Sequence, residues 1–203
     1  MTELRISSKI RKVAANAERA LLRHDPRKAE KLADEALRSQ PEYARALVVK
    51  AILRVNEGKV EDGIALVQRA IASDHEFPEA YVALGAAYNL LRKYAAAREA
   101  LTAALRLAPE MWQAHLEMSK VLLAFAHFEE GLKELDRTEE LDHQHTPETC
   151  LLKGWALMKL QRYAESRGEL KEFLKLAPES SQAAPARQWL AQMPQEEELA
   201  SGK

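Results

Sequence analysis

Small residues recur along this 203-residue chain at a period of 34, and this period constrains the fold more than any other feature. The first series comprises Ala17, Ala51, Gly85, Ser119 and, after one extra residue, Gly154. The second series has the same period and the same slip, and comprises Ala29, Gly63, Ala97, Gly131 and Ser166. Two such series predict two helices per unit that approach closely at fixed points, which is a solenoid of helical hairpins.

The composition is compatible with such a solenoid and argues against some classes of function. Hydrophobic residues make up 47% of the chain and charged residues 30%, so it can bury a core under a charged surface. The 30 Lys and Arg nearly balance the 31 Asp and Glu, which argues against a general nucleic-acid binder or a binder of anionic membranes. Cys150 is the only cysteine, which excludes an intramolecular disulfide.

The beginning of the chain carries no targeting pattern. Residues 1–12 contain several charges and no apolar run, so we expect no signal peptide. No stretch approaches the roughly 20 apolar residues that a membrane-spanning helix needs. These features predict a cytoplasmic protein without membrane insertion.

The clearest repeat unit covers residues 78–111. Its predicted first helix carries an apolar face at helical spacing, and its predicted second helix ends at a proline. The residues that define the unit are Tyr81, Leu84, Gly85 and Tyr88, then Ala97, Leu101, Ala104 and Pro109. This unit resembles the tetratricopeptide repeat, whose pattern has an aromatic, Leu-Gly and Tyr in the first helix, then Ala, a large apolar residue, Ala and Pro. The resemblance implies an all-α fold, a right-handed superhelical solenoid of antiparallel helix pairs.

Shifting this unit by the period divides the rest of the chain. Five units are predicted, at residues 10–43, 44–77, 78–111, 112–145 and 147–180. Residues 1–9 form an extension that we expect to belong to the first helix. The single slip falls between His143 and Pro147, where we expect an irregularity in the stacking.

The C-terminal part of the chain departs from the repeat. Ala186, Trp189, Leu190 and Met193 form an apolar stripe, which predicts a capping helix within residues 181–194. Residues 195–203 include three consecutive glutamates and are expected to be a disordered tail. Lys50 and Lys153 occupy a position that the family fills with leucine.

The sequence carries no signature of catalysis. It contains no glycine-rich phosphate loop, no Cys-x-x-Cys and no His-Glu-x-x-His motif, so we expect no catalytic residue, cofactor or metal. Cys150 falls where the repeat buries an aromatic residue, which favours a small core residue over a nucleophile.

The resemblance implies that the first helix of each unit lines a concave groove. The side chains expected there form an apolar band with a few polar members: Val48, Ile52, Val55, Val82, Ala86, Asn89, Leu116, Lys120, Leu123, Leu151, Trp155, Met158 and Lys159. A contiguous apolar surface usually marks an interaction site, so the band predicts a groove for an apolar or amphipathic peptide. The alternative is that superhelical twist closes the groove and these side chains pack on one another.

Roles for individual groove residues follow from their chemistry. Trp155 and Met158 are predicted to form an anchor pocket, while the alternative for Trp155 is packing under the terminal cap. Asn89 has a donor and an acceptor for a ligand backbone. Lys120 and Lys159 are candidates to meet acidic groups on the ligand.

One class of partner is not expected. Some tetratricopeptide domains bind the acidic C-terminal tails of cytosolic heat-shock chaperones through a clamp of lysines, asparagines and an arginine on three first helices. The corresponding positions here are apolar or acidic in either register: Ala14, Glu18, Val49, Glu79 and Ala83, or Val48, Ile52, Ala83, Gln113 and Glu117. The sequence therefore predicts no tight binding of such tails.

Three non-enzymatic functions remain open. The first is a protein-binding scaffold, adaptor or chaperone that uses the groove. The second is a self-assembling structural protein, since residues 1–31 hold nine Lys and Arg against four Asp and Glu, and residues 128–142 hold two basic against seven acidic side chains. The third is a regulatory or targeting subunit of a larger complex.

Overall fold

The computed structural model describes residues 7–143 and 145–194, and these residues form eleven α-helices without a β-strand. The all-α fold of paired helices that the sequence predicts is confirmed. Contacts along the chain define two compact units, Met1–Pro109 and Glu110–Lys203. Part of the predicted N-terminal extension and all of the predicted tail, at residues 1–6 and 195–203, lie outside the described residues.

Residues 7–109 of the first unit form three helical hairpins. Its helices are α1 (Ser8–Leu22), α2 (Pro26–Ser39), α3 (Ala44–Asn56), α4 (Val60–Ser73), α5 (Pro78–Leu90) and α6 (Tyr94–Leu107). The starts of α1 and α2 have side-chain caps, since the side chains of Ser7 and Asp25 accept hydrogen bonds from the backbone N–H groups of Ile10 and Lys28. Proline occupies the first turn of α2 and α5, where it costs no hydrogen bond.

The described part of the second unit contains two hairpins and one further helix. Its helices are α7 (Trp112–Ala124), α8 (Phe128–Leu141), α9 (Pro147–Lys159), α10 (Tyr163–Leu176) and α11 (Ala183–Gln192). The helix α11 lies within the segment expected to form a cap. Its Ala186 belongs to a buried cluster with Phe173 and Leu170 of α10, so α11 covers the last hairpin.

Every hairpin turns in three residues, and the middle residue of each turn has a left-handed backbone. These middle residues are His24 (φ 55°), Gly58 (φ 80°), Arg92 (φ 56°), Ala126 (φ 59°) and Gln161 (φ 60°). The period of 34 therefore governs the turns as well as the helices. Only Gly58 adopts this conformation without the steric cost that a Cβ atom adds.

The extra residue of the sequence lies between α8 and α9. Residues 142–146 link these helices, whereas residues 40–43, 74–77 and 108–111 link the hairpins elsewhere. His145 in the longer link has a φ of 49°, and the Asp142 carboxylate accepts a hydrogen bond of 2.7 Å from the Thr146 backbone N–H. The longer link is thus closed locally by the carboxylate that follows α8.

The first series of small residues lies where the two helices of a hairpin meet. A Cβ atom on Gly85 would lie 2.6 Å from Cγ of Leu101, and a Cβ atom on Gly154 would lie 2.6 Å from Cγ of Leu170. Both separations are shorter than carbon atoms tolerate. Each glycine therefore faces a leucine sixteen residues later in the chain.

The second series lies against the backbone of the first helix. A Cβ atom on Gly63 would lie 3.0 Å from the carbonyl oxygen of Ala51, and the Ser166 hydroxyl donates a 2.7 Å hydrogen bond to the carbonyl oxygen of Gly154. In both hairpins, the second series meets a backbone carbonyl of the first series. The two series thus mark the two sides of one close helix contact.

The turn geometry predicts opposite effects for the same substitution at two glycines. A Cβ atom meets nothing within 4 Å at Gly58 or at Gly168 in α10, so packing does not distinguish them. Gly58→Ala should lower the free energy of unfolding by about 1 kcal/mol because alanine disfavours a positive φ. Gly168→Ala should raise it by about 0.5–1 kcal/mol because alanine is the better helix former. Urea unfolding of both variants tests this, and equal effects would contradict the assigned turn conformation.

Candidate binding surfaces

The first helices of neighbouring hairpins pack side by side within each unit. In the first unit α1 contacts α3 and α3 contacts α5, and in the second unit α7 contacts α9. We call the surface along α1, α3 and α5 the first-helix face of the first unit, and the surface along α7 and α9 the first-helix face of the second unit. The predicted groove residues divide between these two faces.

The face of the first unit is half-open. Ile52, Val82, Ala86 and Asn89 are each half-buried, as expected for side chains in a shallow surface. Val55 is also half-buried, but its Cγ2 atom lies 2.6 Å from where a Cβ atom on Gly63 would be, so Val55 packs against α4. Val48, by contrast, is 6% exposed and belongs to a core cluster with Leu47 and Val67. Val48 is therefore a core residue under α3 and does not line the open surface.

The face of the second unit shows the same division. Leu151, Trp155 and Met158 are half-buried, and Lys159 is exposed. Leu116 and Leu123 are 5% and 4% exposed. The burial of Leu123 has a specific cause, because its Cδ2 atom lies 2.7 Å from where a Cβ atom on Gly131 would be. Leu116 and Leu123 are therefore core residues of the hairpins.

Trp155 packs against the preceding hairpin. Its ring meets the ring of Phe128, at the start of α8, edge to face at a centroid distance of 5.5 Å. The Nζ atom of Lys159 lies 5.7 Å from the centroid of the Trp155 ring. Met158 and Leu151 pack instead against the cluster that contains Ala186 of α11. The neighbours of Trp155 are thus in α7, α8 and α9, while Met158 is the residue on the side of the cap.

Ion pairs already occupy one cation on each face, Arg45 in the first unit and Lys120 in the second. Arg45 pairs with Glu18 at 2.8 Å in the first unit, and its guanidinium lies 5.6 Å from the ring centroid of Phe77. Burial raises the pKa of Glu18, against the opposing effect of Arg45, and the nearby charge of Glu79 raises it further.

In the second unit, Lys120 pairs with Glu117 at 2.7 Å and with Glu148 at 3.0 Å. Burial alone would lower the pKa of Lys120, but the two carboxylates outweigh it and hold the pKa above its ordinary value. Lys120 therefore stays charged and joins α7 to α9. Two carboxylates against one ammonium leave this spot with one excess negative charge.

A third surface, which we name the acidic cleft, was not predicted from the sequence. It is a cavity of about 550 Å³ bounded by α8, α9 and α10. Its charged lining residues are Asp136, Glu139, Lys153, Arg162, Glu165, Glu169 and Glu172. Five carboxylates against two cations make the cleft strongly acidic.

Lys153 lies at the base of the acidic cleft. Its Nζ atom is 2.8 Å from Asp136, 2.8 Å from Glu139 and 3.5 Å from Glu169. Burial would lower the pKa of Lys153, but the hydrogen bonds that its ammonium donates to Asp136 and Glu139 raise the pKa strongly. Lys50, three repeats earlier, pairs with Asp34 of α2 at 2.6 Å. The two lysines that replace the leucine of the family are thus ion-pair partners of the preceding second helix.

The sequence held a signal for this arrangement. A lysine at a position where the repeat buries leucine requires carboxylates from the helices packed around it. In Lys153 those carboxylates come from α8 and α10, and in Lys50 from α2. A search for acidic residues facing each lysine at repeat spacing would have found them.

Cys150 also lines the acidic cleft, beside Lys153. Burial and then the charge of Glu169 raise the pKa of its thiol to about 11. The thiol is therefore protonated at neutral pH and is a poor nucleophile.

Comparison with known proteins decides the family. The tetratricopeptide repeat model matches residues 14–74 and 48–111, and a second model of the same description matches residues 147–180, which together exceed half of the chain. The chain belongs to the tetratricopeptide repeat family. Proteins of this family generally act as non-enzymatic scaffolds for protein–protein interactions.

Solved structures share the fold of this tetratricopeptide repeat protein at low identity. A thermophilic TPR protein from Thermus thermophilus has a TM-score of 0.76 at 18% identity, with 90% of this chain and 99% of that chain covered. A chain of the APC/C hetero-tetramer Cut9–Hcn1 has a TM-score of 0.79 at 16% identity, with 96% of this chain and 37% of that chain covered. These similarities confirm the predicted fold.

Curated relatives match a short part of this tetratricopeptide repeat protein. Anaphase-promoting complex subunit 7 of Mus musculus and of Homo sapiens is 47% identical over 49 residues, which is 24% of this chain. The match covers 9% of the length of these relatives. In the described part of the chain, no helix combines the length and the apolarity that crossing a membrane requires.

Replacing the two lysines at the leucine position of the repeat should lower the free energy of unfolding by different amounts. For Lys153 the loss should also depend on pH. Lys153→Leu should lower the free energy of unfolding at pH 7 by about 1–3 kcal/mol, because it leaves three carboxylates facing one another. Burial already raises the pKa of Glu169 against the charge of Lys153, so removal of the lysine should raise that pKa further in the folded state. A raised carboxyl pKa gives stability below that pKa that is lost as the pH rises, so the deficit should shrink towards pH 4.

Lys50→Leu is the matched control because Lys50 has one carboxylate partner. Its effect should be less than about 1 kcal/mol at pH 7. Urea unfolding of both variants at pH 4 and pH 7 measures the difference. A Lys153→Leu deficit that is the same at both values would show that the carboxylates do not cause it.

Proposed function

We propose that this chain is a non-enzymatic adaptor of the cytoplasm that binds an apolar or amphipathic segment of a partner protein on its first-helix faces. The observation that carries the proposal is the row of half-buried apolar side chains on neighbouring first helices in each unit. Such a surface loses water at little conformational cost when a ligand covers it, since its side chains are already held by packing.

The face of the first unit supports an apolar contact with one polar group. Val82 and Ala86 are one helical turn apart on α5, and Asn89 follows on the next turn. Ile52 lies on the adjacent helix α3. An apolar ligand side chain would cover the aliphatic residues, while the amide of Asn89 would bond the ligand backbone.

The face of the second unit supports an aromatic anchor. The edge contact with Phe128 restrains the Trp155 ring, so little rotamer freedom remains to be lost on binding. Leu151 lies one turn before Trp155 on α9, and both are half-buried. Restrained aromatic side chains with aliphatic neighbours dominate binding energy at interfaces.

The ion pairs support the choice of ligand chemistry. A ligand carboxylate at Arg45 or Lys120 would have to displace Glu18, or Glu117 and Glu148. This competition disfavours the acidic C-terminal tails of heat-shock chaperones and favours an uncharged or weakly basic segment.

Membership of a larger complex is the second candidate function, as a regulatory or targeting subunit. The matches to anaphase-promoting complex subunit 7 and to the Cut9–Hcn1 hetero-tetramer favour it, because both are parts of multi-subunit assemblies. In such a complex, the same first-helix faces would bind a neighbouring subunit permanently.

The experiment selects peptides from a random twelve-residue library on the full chain and measures their affinity by calorimetry. The selected peptides should be rich in apolar residues. Ala86→Glu in the first unit, or Trp155→Ala in the second, should weaken binding by about tenfold or more, because each removes apolar contact from one face.

Ala72→Glu on α4 is the matched control, since it makes the same change at an exposed alanine of a second helix. It should leave the affinity unchanged. Thermal melting of each variant separates lost binding from lost folding. Peptides that bind Ala86→Glu and Trp155→Ala as tightly as the parent protein would refute both faces as the site.

A further inference from the structure

The first hairpin presents an unneutralised basic surface, which we name the basic hairpin. Nine cations of α1, α2 and their turn are exposed, and none forms an ion pair with a described residue: Lys9, Arg11, Lys12, Arg19, Arg23, Arg27, Lys28, Lys31 and Arg38. Two nearby carboxylates are already taken, since Glu18 pairs with Arg45 and Glu30 pairs with Arg54 of α3. The positive charge of the hairpin is therefore left for a partner.

The acidic cleft presents the opposite charge on the second unit. Lys153 is shared among Asp136, Glu139 and Glu169, and Arg162 pairs with Glu165. Even with Lys175, which pairs with Glu172 at 3.2 Å, only three cations face the five carboxylates of the lining. Burial raises the pKa of Glu169 against the opposing charge of Lys153, and the charge of Glu139 raises it further.

The acidic cleft continues into a second cavity that contains an unsatisfied polar group. This cavity of about 280 Å³ shares Glu139, Cys150 and Glu172 with the cleft, and Thr149 also lines it. Thr149 is 4% exposed, and its Oγ1 atom has no hydrogen-bond partner among the described residues. A buried hydroxyl without a partner is costly, so Thr149 points to a polar group that arrives with a ligand.

We propose that the acidic cleft of one copy of this chain binds the basic hairpin of a second copy. The guanidinium and ammonium groups of the hairpin supply the N–H donors that the cleft carboxylates and the Thr149 hydroxyl accept. The second copy is the occupant because the same chain carries both surfaces. The contact shares no residue with the predicted groove, so it stands independently of the proposed peptide binding.

The contact joins two different surfaces, which makes it heterologous. Each bound copy still has a free hairpin or a free cleft, so further copies can add head to tail. The assembly stops growing only if the copies close into a ring. Most of the carboxylates are near half-exposed, and single exposed ion pairs contribute little. Association therefore rests on many pairs together and should weaken steeply with salt, whose screening length is roughly 10 Å at 0.1 M.

The test is light scattering on the full chain over a concentration series, at low and at high salt. The parent protein should form oligomers at low salt and dissociate as salt is added. Glu165→Lys with Glu172→Lys should weaken association by about tenfold or more, and so should Arg27→Glu with Lys31→Glu. None of these four residues contacts Lys153, so the base of the cleft is kept.

Mixing the two charge-reversed proteins is the decisive arm. The first variant keeps an intact hairpin but has a basic cleft, and the second variant keeps an intact cleft but carries acids at two positions of its hairpin. The mixture should restore association, as one-to-one complexes. Glu61→Lys with Glu99→Lys, at exposed acids on α4 and α6, makes the same change in net charge and should leave the oligomer intact.

Several results would overturn the proposal. They are a parent protein that is monomeric at every concentration at low salt, an oligomer that resists both reversals, and an effect of the Glu61 and Glu99 control as large as that of the cleft variant. Binding of a Lys- and Arg-rich peptide in the cleft by a parent protein that stays monomeric would assign the cleft to a foreign basic segment instead. Circular dichroism of each variant confirms folding, and the hairpin variant and the salt series test the contact independently of the cleft variant.

Discussion

The close approach of the two helices in each hairpin is the contact on which the rest of the structure depends. At Gly85 and Gly154 the first helix lies so near the second that a leucine side chain fills the space a Cβ atom would need. On the second helix, Gly63 and Ser166 lie equally close to the first helix, where each contacts a backbone carbonyl. This mutual fit fixes how each hairpin closes, and hence which side of its first helix is left for a partner.

The fold could be predicted because this contact is local in the sequence. Gly85 and Leu101 are in one hairpin, so the small residues, the turns and the helix order all repeat with it. The openness of the groove could not be predicted in the same way. Val48 and Leu116 are at the same repeat position as half-buried Val82 and Leu151, and only the packing of neighbouring helices distinguishes them. Burial at a surface is a property of several hairpins, whereas helix pairing is a property of one.

The placement of charged residues separates apolar surfaces from charged surfaces in both units. Arg45 and Lys120 are each bound to carboxylates on the first-helix faces, so apolar contact dominates what those faces can offer. Cations of the first hairpin and carboxylates around Lys153 are left in excess elsewhere. A near-neutral chain can thus carry strong local charge, which a count of charged residues hides.

A double-mutant cycle at Gly85 and Leu101 tests the central contact most directly. Gly85→Ala in the parent protein should cost about 1–3 kcal/mol of unfolding free energy, since the new methyl overlaps Leu101. In a Leu101→Ala background the overlapping atoms are gone, and an alanine pair occurs naturally as Ala17 and Ala33 of the first hairpin. There Gly85→Ala should be neutral or stabilising. The same cost in both backgrounds would contradict the claim that this approach holds the hairpin together.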